Sequence, residues 1–192
     1  VSKKFIKICS GYSPFVEVFS MDEIFIDVST SIHLFGGVEQ LIKSLKQQVR
    51  NEIGEYITVS IGVAHNKLLA KLGSGLKKPN GICVITPSQV EGVYSVCKLT
   101  DICGIGPRIN DRLNNMGIFT LLQLRKTSKP KLIGEFGMVE GKFLYEVGQG
   151  EDVRPVMAFS QDPGVKSVGR QYCLPYNEHD QRVALQNIYE LF

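Results

Sequence analysis

The most constraining feature of the sequence is a run of regularly spaced apolar residues and glycines in its central part. Its pattern is Leu99-x-x-Ile102-x-Gly104-Ile105-Gly106-x-x-Ile109-x-x-x-Leu113-x-x-x-Gly117-Ile118. This spacing predicts a short helix, a Gly-Ile-Gly hairpin and a second helix that starts at Pro107, since proline favours the first helical position. Such a helix-hairpin-helix exposes backbone N–H groups that hold one nucleic-acid strand by its phosphates. The alternative is a tight corner between two helices that binds no ligand.

A weaker second copy of this pattern follows at residues 132–137 and 141–145. It is preceded by a basic run over residues 125–131. A charge run is usually a solvated face of a helix, but next to a strand-gripping hairpin it is also where a phosphate backbone would pass. Both interpretations of the basic run remain open at this point.

The first ninety residues instead alternate between strand and helix patterns. The predicted order is hairpin strands at 15–19 and 24–28, a helix over 38–53, a strand at 56–63, a helix capped by Asn66, and a strand at 82–85. From about Ser88 onward the sequence reads as short helices broken by glycines, and a strand at 165–174 is followed by an amphipathic stretch from His179. We therefore expect an α+β unit at 1–92, an all-α unit at 93–157, and a linker with the beginning of another α+β unit at 158–192.

Composition excludes several classes of protein. With 43% apolar residues and 21% charged residues, the chain is neither mostly disordered nor a disulfide-stapled miniprotein. The five cysteines contain no C-x-x-C pair and are expected to be free thiols in a reducing compartment. No apolar run reaches the ~18 residues of a membrane span, and the net charge of +3 does not by itself indicate a nucleic-acid partner. Both ends look cut, so we expect a fragment of a longer protein.

Asp22 and Glu23, in the segment SMDEIFID, are the first candidate site residues. Adjacent side chains of a strand point to opposite faces, so two neighbouring carboxylates converge on one ligand only where the backbone turns, as at a hairpin apex. Carboxylate oxygens suit Mg²⁺, which is commonly held by one or two carboxylates and substrate phosphates. The alternative is that both residues decorate a solvated turn.

Lysines form the second candidate group. Lys67 and Lys71 lie one turn apart on the predicted helix, and Lys78 belongs to the turn Lys77-Lys78-Pro79-Asn80-Gly81. A lysine held by such a turn beside a carboxylate site could place its ammonium on a triphosphate. Helix lysines and a KKPNG turn are also common on ordinary protein surfaces. His33, His65 and His179 show no spacing typical of a metal site or a catalytic triad.

Taken in order, SMDEIFID, SIGVAHNKLLAK, KKPNG and the Gly104-Ile105-Gly106 hairpin resemble the Y-family DNA polymerases, the translesion group that includes DinB and UmuC-type enzymes. The resemblance covers essentially the whole chain. It implies a partial palm, then a helix-hairpin-helix thumb, then the start of a little finger. It also implies a template-directed nucleotidyl transfer that bypasses damaged bases.

The resemblance also implies roles for individual residues. Asp22 and Glu23 match catalytic, metal-binding carboxylates of the palm, whereas Asp27 matches a residue that we do not assign to metal binding. Lys78 matches a lysine that contacts the incoming triphosphate. The DNA-binding candidates are Gly104, Ile105, Gly106 and Arg108 in the thumb and Arg170 in the little finger.

Several parts of the family pattern are not found in these 192 residues. The first carboxylate motif, the steric-gate aromatic residue and the fingers belong before Val1, and most of the little finger belongs after Phe192. We therefore expect the parent protein to be a cytoplasmic, Mg²⁺-dependent DNA polymerase with two ions, and the fragment alone to be inactive but able to bind DNA weakly. The expected partners are primer-template DNA, a dNTP and, for the full-length protein, a sliding clamp, with no membrane partner.

Two other hypotheses compete with the polymerase. A non-catalytic DNA-binding scaffold would keep the thumb and have lost the chemistry; the sequence before Val1 would separate it from the enzyme. A palm-type nucleotide cyclase explains paired carboxylates on a hairpin but predicts no helix-hairpin-helix, so it ranks last.

Overall fold

The computed structural model describes residues 1–158 and 179–191. The chain divides into two compact units, Val1–Ser160 and Gln161–Phe192. Helices and small sheets are both present in the first unit, so the predicted α+β class is confirmed. Within the described residues, no helix has the length and apolar character needed to cross a membrane.

An antiparallel hairpin lies near the start of the chain. Strand β1 (Val16–Val18) pairs with β2 (Ile24–Ile26), with Val18 opposite Ile24. Helices α1 (Ser2–Ser10) and α2 (Val38–Glu52) pack beside it. Helix α2 confirms the predicted helix over 38–53. Their buried cluster consists of Ile8, Tyr12, Leu41, Leu45 and Val49.

A parallel strand–helix–strand unit follows. Strand β3 (Ile61–Ala64) pairs with β4 (Ile82–Ile85), and helix α3 (Lys67–Leu76) connects them. The prediction that the first of these strands begins at residue 56 is wrong, because the ladder with β4 starts only at Ile61. Tyr56 is accordingly 89% exposed.

Short helices make up the chain from β4 to residue 150. They are α4 (Val90–Val96), α5 (Pro107–Asn115), α6 (Leu121–Lys126), α7 (Lys129–Phe136) and α8 (Met138–Gln149). One buried cluster runs from Leu68 of α3 to Val147 of α8. At its centre Tyr94 is fully buried and donates a hydrogen bond to the carbonyl of Val147 at 2.6 Å. The helices are therefore packed on α3 as well as on one another.

The predicted domain boundaries stay predictions. Helix α4 crosses the expected boundary at residue 93, and the buried cluster contains residues from both sides of it. In the second unit, helix α9 (Gln181–Leu191) confirms the predicted amphipathic stretch. The predicted strand at 165–174 lies outside the described residues.

The segment after α8 is fixed by two contacts. Met157 donates its backbone N–H to a carboxylate oxygen of Glu17 on β1 at 2.8 Å. The side chain of Asp152 is only 4% exposed and accepts hydrogen bonds from the Arg154 guanidinium at 2.7 and 2.9 Å. Burial raises the pKa of Asp152, but the hydrogen bonds from Arg154 outweigh this and hold the pKa below its ordinary value.

Helices α7 and α8 approach so closely that one position between them must be glycine. A Cβ added to Gly141 would lie 2.5 Å from the Cα of Ile133, which is backbone and cannot move away locally. A Cβ added to Gly134, on α7, would meet no atom within 4 Å. These two helical glycines therefore form a matched pair that differs only in packing.

We expect Gly141→Ala to lower the free energy of unfolding by about 1–3 kcal/mol, because the added methyl forces two helices apart. Gly134→Ala should leave it unchanged or raise it by up to about 1 kcal/mol through helix propensity. Urea unfolding followed by circular dichroism measures both. Equal stability of the two variants would contradict the close approach of α7 and α8.

We expect Asp152→Asn to destabilise the chain at neutral pH and progressively less in acid. The native pKa is lowered, so the carboxylate stabilises the fold above the ordinary pKa near 4, and this contribution is lost as pH falls through the lowered pKa. The difference in unfolding free energy between the native chain and Asp152→Asn should be largest above about pH 5 and small below about pH 3. A gap that stays constant down to acid pH would contradict the charged role of Asp152.

Candidate active site and nucleic-acid interface

The structure places Asp22 and Glu23 at the turn of the β1–β2 hairpin. The backbone N–H groups of Phe19 and Ser20 both donate to the carbonyl of Glu23, at 2.9 and 3.2 Å, and close the turn. The Ser20 hydroxyl donates to the carboxylate of Asp22 at 3.0 Å. Asp22 is exposed and Glu23 is half-buried. The predicted backbone turn at Asp22 and Glu23 is therefore present, and their service to one ligand stays a prediction.

Lys71, a member of the second candidate group for which the sequence indicates no role of its own, forms an ion pair with Glu23. Its ammonium also lies 5.7 Å from the ring centre of Phe19. One turn earlier, Lys67 forms an ion pair with Glu17 at 2.8 Å and lies 5.8 Å from the ring centre of Phe25. The one-turn spacing of the two lysines was visible in the sequence, but their partners on the hairpin were not.

Helix α3 presents these lysines because its start is fixed. Asn66 accepts a hydrogen bond from the N–H of Leu69 at 2.9 Å, as the predicted N-cap requires. The amide of the same side chain donates to the carbonyl of Gly150 at 2.8 Å, just after α8. The buried Leu68, Leu69 and Leu72 hold the opposite side of the helix in the core. Asn66 therefore sets both the start of α3 and its contact with the helical part.

Lys78 lies in the turn between α3 and β4, as predicted, and its side chain is exposed. The Lys78–Pro79 peptide bond is cis. Lys46 of α2 donates to the side-chain oxygen of Asn80 at 2.9 Å and so fastens the turn from the other side. Burial lowers the pKa of Lys46.

Lys78 lines a cleft of about 360 Å³. The lining also includes Lys71, Ser74, Gly75 and Asp101. Lys71 therefore has two neighbourhoods: its ammonium pairs with Glu23, and the residue is part of the lining of the cleft that contains Lys78.

The donor chemistry at the turn fits a hard divalent cation. Asp22 and Glu23 offer oxygen ligands only, and a cationic group, the Lys71 ammonium, already lies against Glu23. Within residues 1–158 and 179–191, no three His, Cys, Asp or Glu side chains come together as a metal site. Asp27 accepts a hydrogen bond from the N–H of Ser29 at 2.9 Å, which is consistent with its being left out of the ligand set.

The structure places the Gly104-Ile105-Gly106 hairpin immediately before α5. Ile102 and Ile105 are buried, and the N–H of Ile105 donates to the carbonyl of Ile102 at 3.0 Å. Gly106 is the N-cap of α5, Pro107 occupies its first position, and Arg108 is exposed beside them. Gly106 and Arg108 are both exposed, and no side chain caps this helix start. An uncapped helix start beside a cationic side chain is an arrangement suited to a phosphate.

The two hairpin glycines differ in what they do. Gly104 has a φ of 102°, and a Cβ there would lie 2.7 Å from the ring of Phe143. Its positive φ favours glycine, and a side chain there would also displace the Phe143 ring of α8. Gly106 has no atom within 4 Å of an added Cβ, so only Gly106 leaves space that packing does not explain.

The second, weaker pattern corresponds to α7, Gly137 and α8. Part of the basic run before it is used in packing: Arg125 donates to the carbonyl of Gln149 at 2.9 Å, and Lys129 lies 5.8 Å from the ring centre of Tyr145. Lys126 and Lys131 are exposed. The structure thus shows a solvated face for part of the run, and the passage of a phosphate backbone beside it stays a prediction. Arg170 lies outside the described residues.

Comparisons with known proteins agree with this arrangement. The sequence profile of the impB/mucB/samB family matches residues 1–75, and that of the DNA polymerase-iota thumb domain matches residues 100–152. The DNA polymerase IV of Desulfatibacillum aliphaticivorans is 35% identical over 92% of this chain. The chain spans 43% of the length of that relative.

Solved structures show the same similarity. A chimera of the Y-family DNA polymerases Dbh and Dpo4 superposes with a TM-score of 0.74 at 29% identity, covering 99% of this chain and 54% of the chimera. A Dbh ternary complex superposes with a TM-score of 0.70 at 31% identity, covering 99% of this chain and 55% of that protein. The motifs, the fold and these matches agree, and the chain belongs to the Y-family of DNA polymerases.

Proposed function

We propose that this chain is the palm and thumb part of a translesion DNA polymerase that transfers nucleotides from dNTPs to a DNA primer. The observation that carries the proposal is the position of Lys71. It contacts Glu23 at the hairpin turn and lines the cleft of Lys78, so an acidic centre and a cationic cleft meet at one side chain. Membership of the Y-family supports assigning this juxtaposition to nucleotidyl transfer.

In this proposal Asp22 and Glu23 hold Mg²⁺, with two ions in the complete enzyme. Mg²⁺ when bound activates the primer 3′-hydroxyl and neutralises charge on the phosphates. The chain's own residues bind and orient the substrate: Lys78 contacts the triphosphate as a point charge, and the turn fastened by Lys46 fixes where that charge stands. The closed hairpin turn fixes the backbone that carries both carboxylates, and the Ser20 hydroxyl holds that of Asp22.

The proposed nucleic-acid partner is primer-template DNA, held through its phosphates by Gly104, Ile105, Gly106 and Arg108, with Arg170 contributing from the little finger. One structure similar to this chain is a ternary complex of Dbh, which supports binding of substrates by this architecture. A sliding clamp and a cytoplasmic location are parts of the same proposal for the whole protein.

A chimera tests the catalytic part of the proposal. Residues 1–158 would replace the matching part of the Desulfatibacillum aliphaticivorans DNA polymerase IV, and primer extension would be measured with Mg²⁺. We expect an active chimera whose rate falls at least about 100-fold on Asp22→Asn, because charge stabilisation by a metal is worth several kcal/mol. The 192 residues alone should give no extension, since the described residues bring no third ligand to the turn.

Asp27→Asn in the same chimera is the matched control and should retain most of the activity. A chimera that binds primer-template DNA but extends no primer would contradict the polymerase and favour a non-catalytic DNA-binding scaffold. Equal losses from Asp22→Asn and Asp27→Asn would contradict the assignment of the carboxylates.

Gly106→Asn tests the DNA contact without disturbing the fold. Asparagine is a good N-cap residue and fits the φ of −82° at Gly106, while its side chain enters the open space beside the helix start. We expect it to weaken binding of a primer-template duplex by about threefold to tenfold, by blocking phosphate approach. Fluorescence anisotropy at low and moderate salt measures the change, and the affinity of the native chain should fall as salt rises.

Gly117→Asn is the matched control, because Gly117 lies just beyond the other end of α5, has a φ of 78° that asparagine tolerates, and has open space around it. It should leave DNA binding unchanged. Equal effects of the two variants, or binding that does not respond to salt, would contradict a phosphate contact at Gly106.

A further inference from the structure

We infer that Lys71 is an exchangeable counter-cation: it neutralises Glu23 before a divalent cation binds, and it is displaced by that cation toward the cleft of Lys78. The inference rests on the proposed metal role of Asp22 and Glu23 and adds a regulation of that site. It assigns to Lys71 two anionic partners in turn, first a carboxylate and then a phosphate.

The first step is the position of the pair. The Lys71 and Glu23 side chains are 25% and 34% exposed, so neither charge is fully solvated and each gains from an opposite charge nearby. Helix α3 is fixed at its start by Asn66, and the Glu23 carbonyl is fixed by the N–H groups of the turn. The ammonium therefore returns to the same carboxylate whenever no stronger cation is present.

The second step is competition. Lys71 contacts only Oε1 of Glu23. A divalent cation that binds Oε1 replaces the ammonium there, and one that binds Oε2 lies so close to the ammonium that the two like charges repel one another. A cation bound by Asp22 and Glu23 therefore favours the release of Lys71. The pair is partly exposed, and among the described residues no second donor contacts Glu23 Oε1. Exchange of the ammonium for a metal ion therefore requires only rotations within the Lys71 side chain.

The third step is the destination. Lys71 lines the cleft that also contains Lys78 and the hydroxyl-bearing Ser74. The cleft also contains one carboxylate, that of Asp101, which accepts the N–H of Lys98 at 2.8 Å. Two lysines and one aspartate leave an excess of positive charge once Lys71 is released from Glu23. A triphosphate neutralises that excess, so displacement by the metal and binding of the triphosphate favour each other.

The ion pair of Lys67 with Glu17, on the same helix, is the comparison for a pair that does not exchange. Its partner Glu17 also accepts the backbone N–H of Met157, and the Lys67 and Glu17 side chains are only 13% and 19% exposed. Glu17 therefore keeps a structural partner on each side. Lys67 is a matched control because it has the same charge, the same helix and the same type of partner.

Mn²⁺ binding to the 192-residue chain tests the inference without any polymerase activity. Electron paramagnetic resonance of free Mn²⁺ would give dissociation constants for the native chain, Lys71→Met and Lys67→Met at low ionic strength. We expect Lys71→Met to bind Mn²⁺ about threefold to fivefold more tightly, since a competing partly exposed ion pair has been removed. Lys67→Met should change the constant by less than about twofold, although it removes the same charge.

The outcomes separate this inference from the proposed function. Equal Mn²⁺ affinity in the native chain and Lys71→Met, with binding abolished by Asp22→Asn and Glu23→Gln, would overturn the exchange and leave the metal site intact. Binding that survives Asp22→Asn together with Glu23→Gln, or no saturable binding in any variant, would contradict the metal site and the inference with it.

A second measurement needs no variant of Lys71. The ¹H–¹³C NMR signals of the lysine ε-methylenes would be followed in the native chain as Mg²⁺ is added. We expect the Lys71 signal to shift and the Lys67 signal to stay, and a further shift of Lys71 when a non-hydrolysable nucleoside triphosphate is added. A Lys71 signal that is unmoved by Mg²⁺ would overturn the inference.

Discussion

Two ion pairs, Lys67 with Glu17 and Lys71 with Glu23, connect α3 to the β1–β2 hairpin, and the candidate site depends on them. Isolated pairs near a surface are worth only about 0–1 kcal/mol, so their importance is not in overall stability. They matter because they set the register of one element against the other. A shift of α3 by one turn would place one of the two lysines opposite the other's carboxylate and leave the second lysine with no partner on the hairpin.

The register of α3 is in turn supported by neutral contacts. Asn66 uses its oxygen to cap the helix and its amide to contact the chain after α8, so one side chain aligns the lysines and the helical part together. Leu68, Leu69 and Leu72 of α3 belong to the same buried cluster as Leu144 and Val147 of α8. Apolar packing therefore supplies the free energy, and the polar contacts select one alignment among those that packing permits.

Local features of this arrangement could be predicted from the sequence, and the pairings could not. The hairpin, the helix over 38–53 and the Asn66 cap depend on neighbouring residues, and the structure confirms them. The Lys71–Glu23 contact joins residues 48 positions apart, so no periodicity contains it. The predicted start of β3 was wrong for the same reason, because the true start depends on pairing with β4, a distant strand. The sequence interpreted Gly104 only as a position that a phosphate can approach, since the contact of Gly104 with Phe143 is also nonlocal and leaves no trace in the sequence pattern.

The small net charge of +3 conceals a local separation of charge. Acidic residues lie on the hairpin and basic residues on the helix facing it, so the site is close to neutral when it holds no ligand. In the proposed function, a divalent cation alone would leave the site positively charged, and a triphosphate alone would lie against Glu23 as well as the lysines. Binding of both would pair the cation with the carboxylates and the phosphates with the released ammonium. We therefore expect the proposed site to favour the complex of metal and triphosphate over either component, because its own charges are already paired when it holds no ligand.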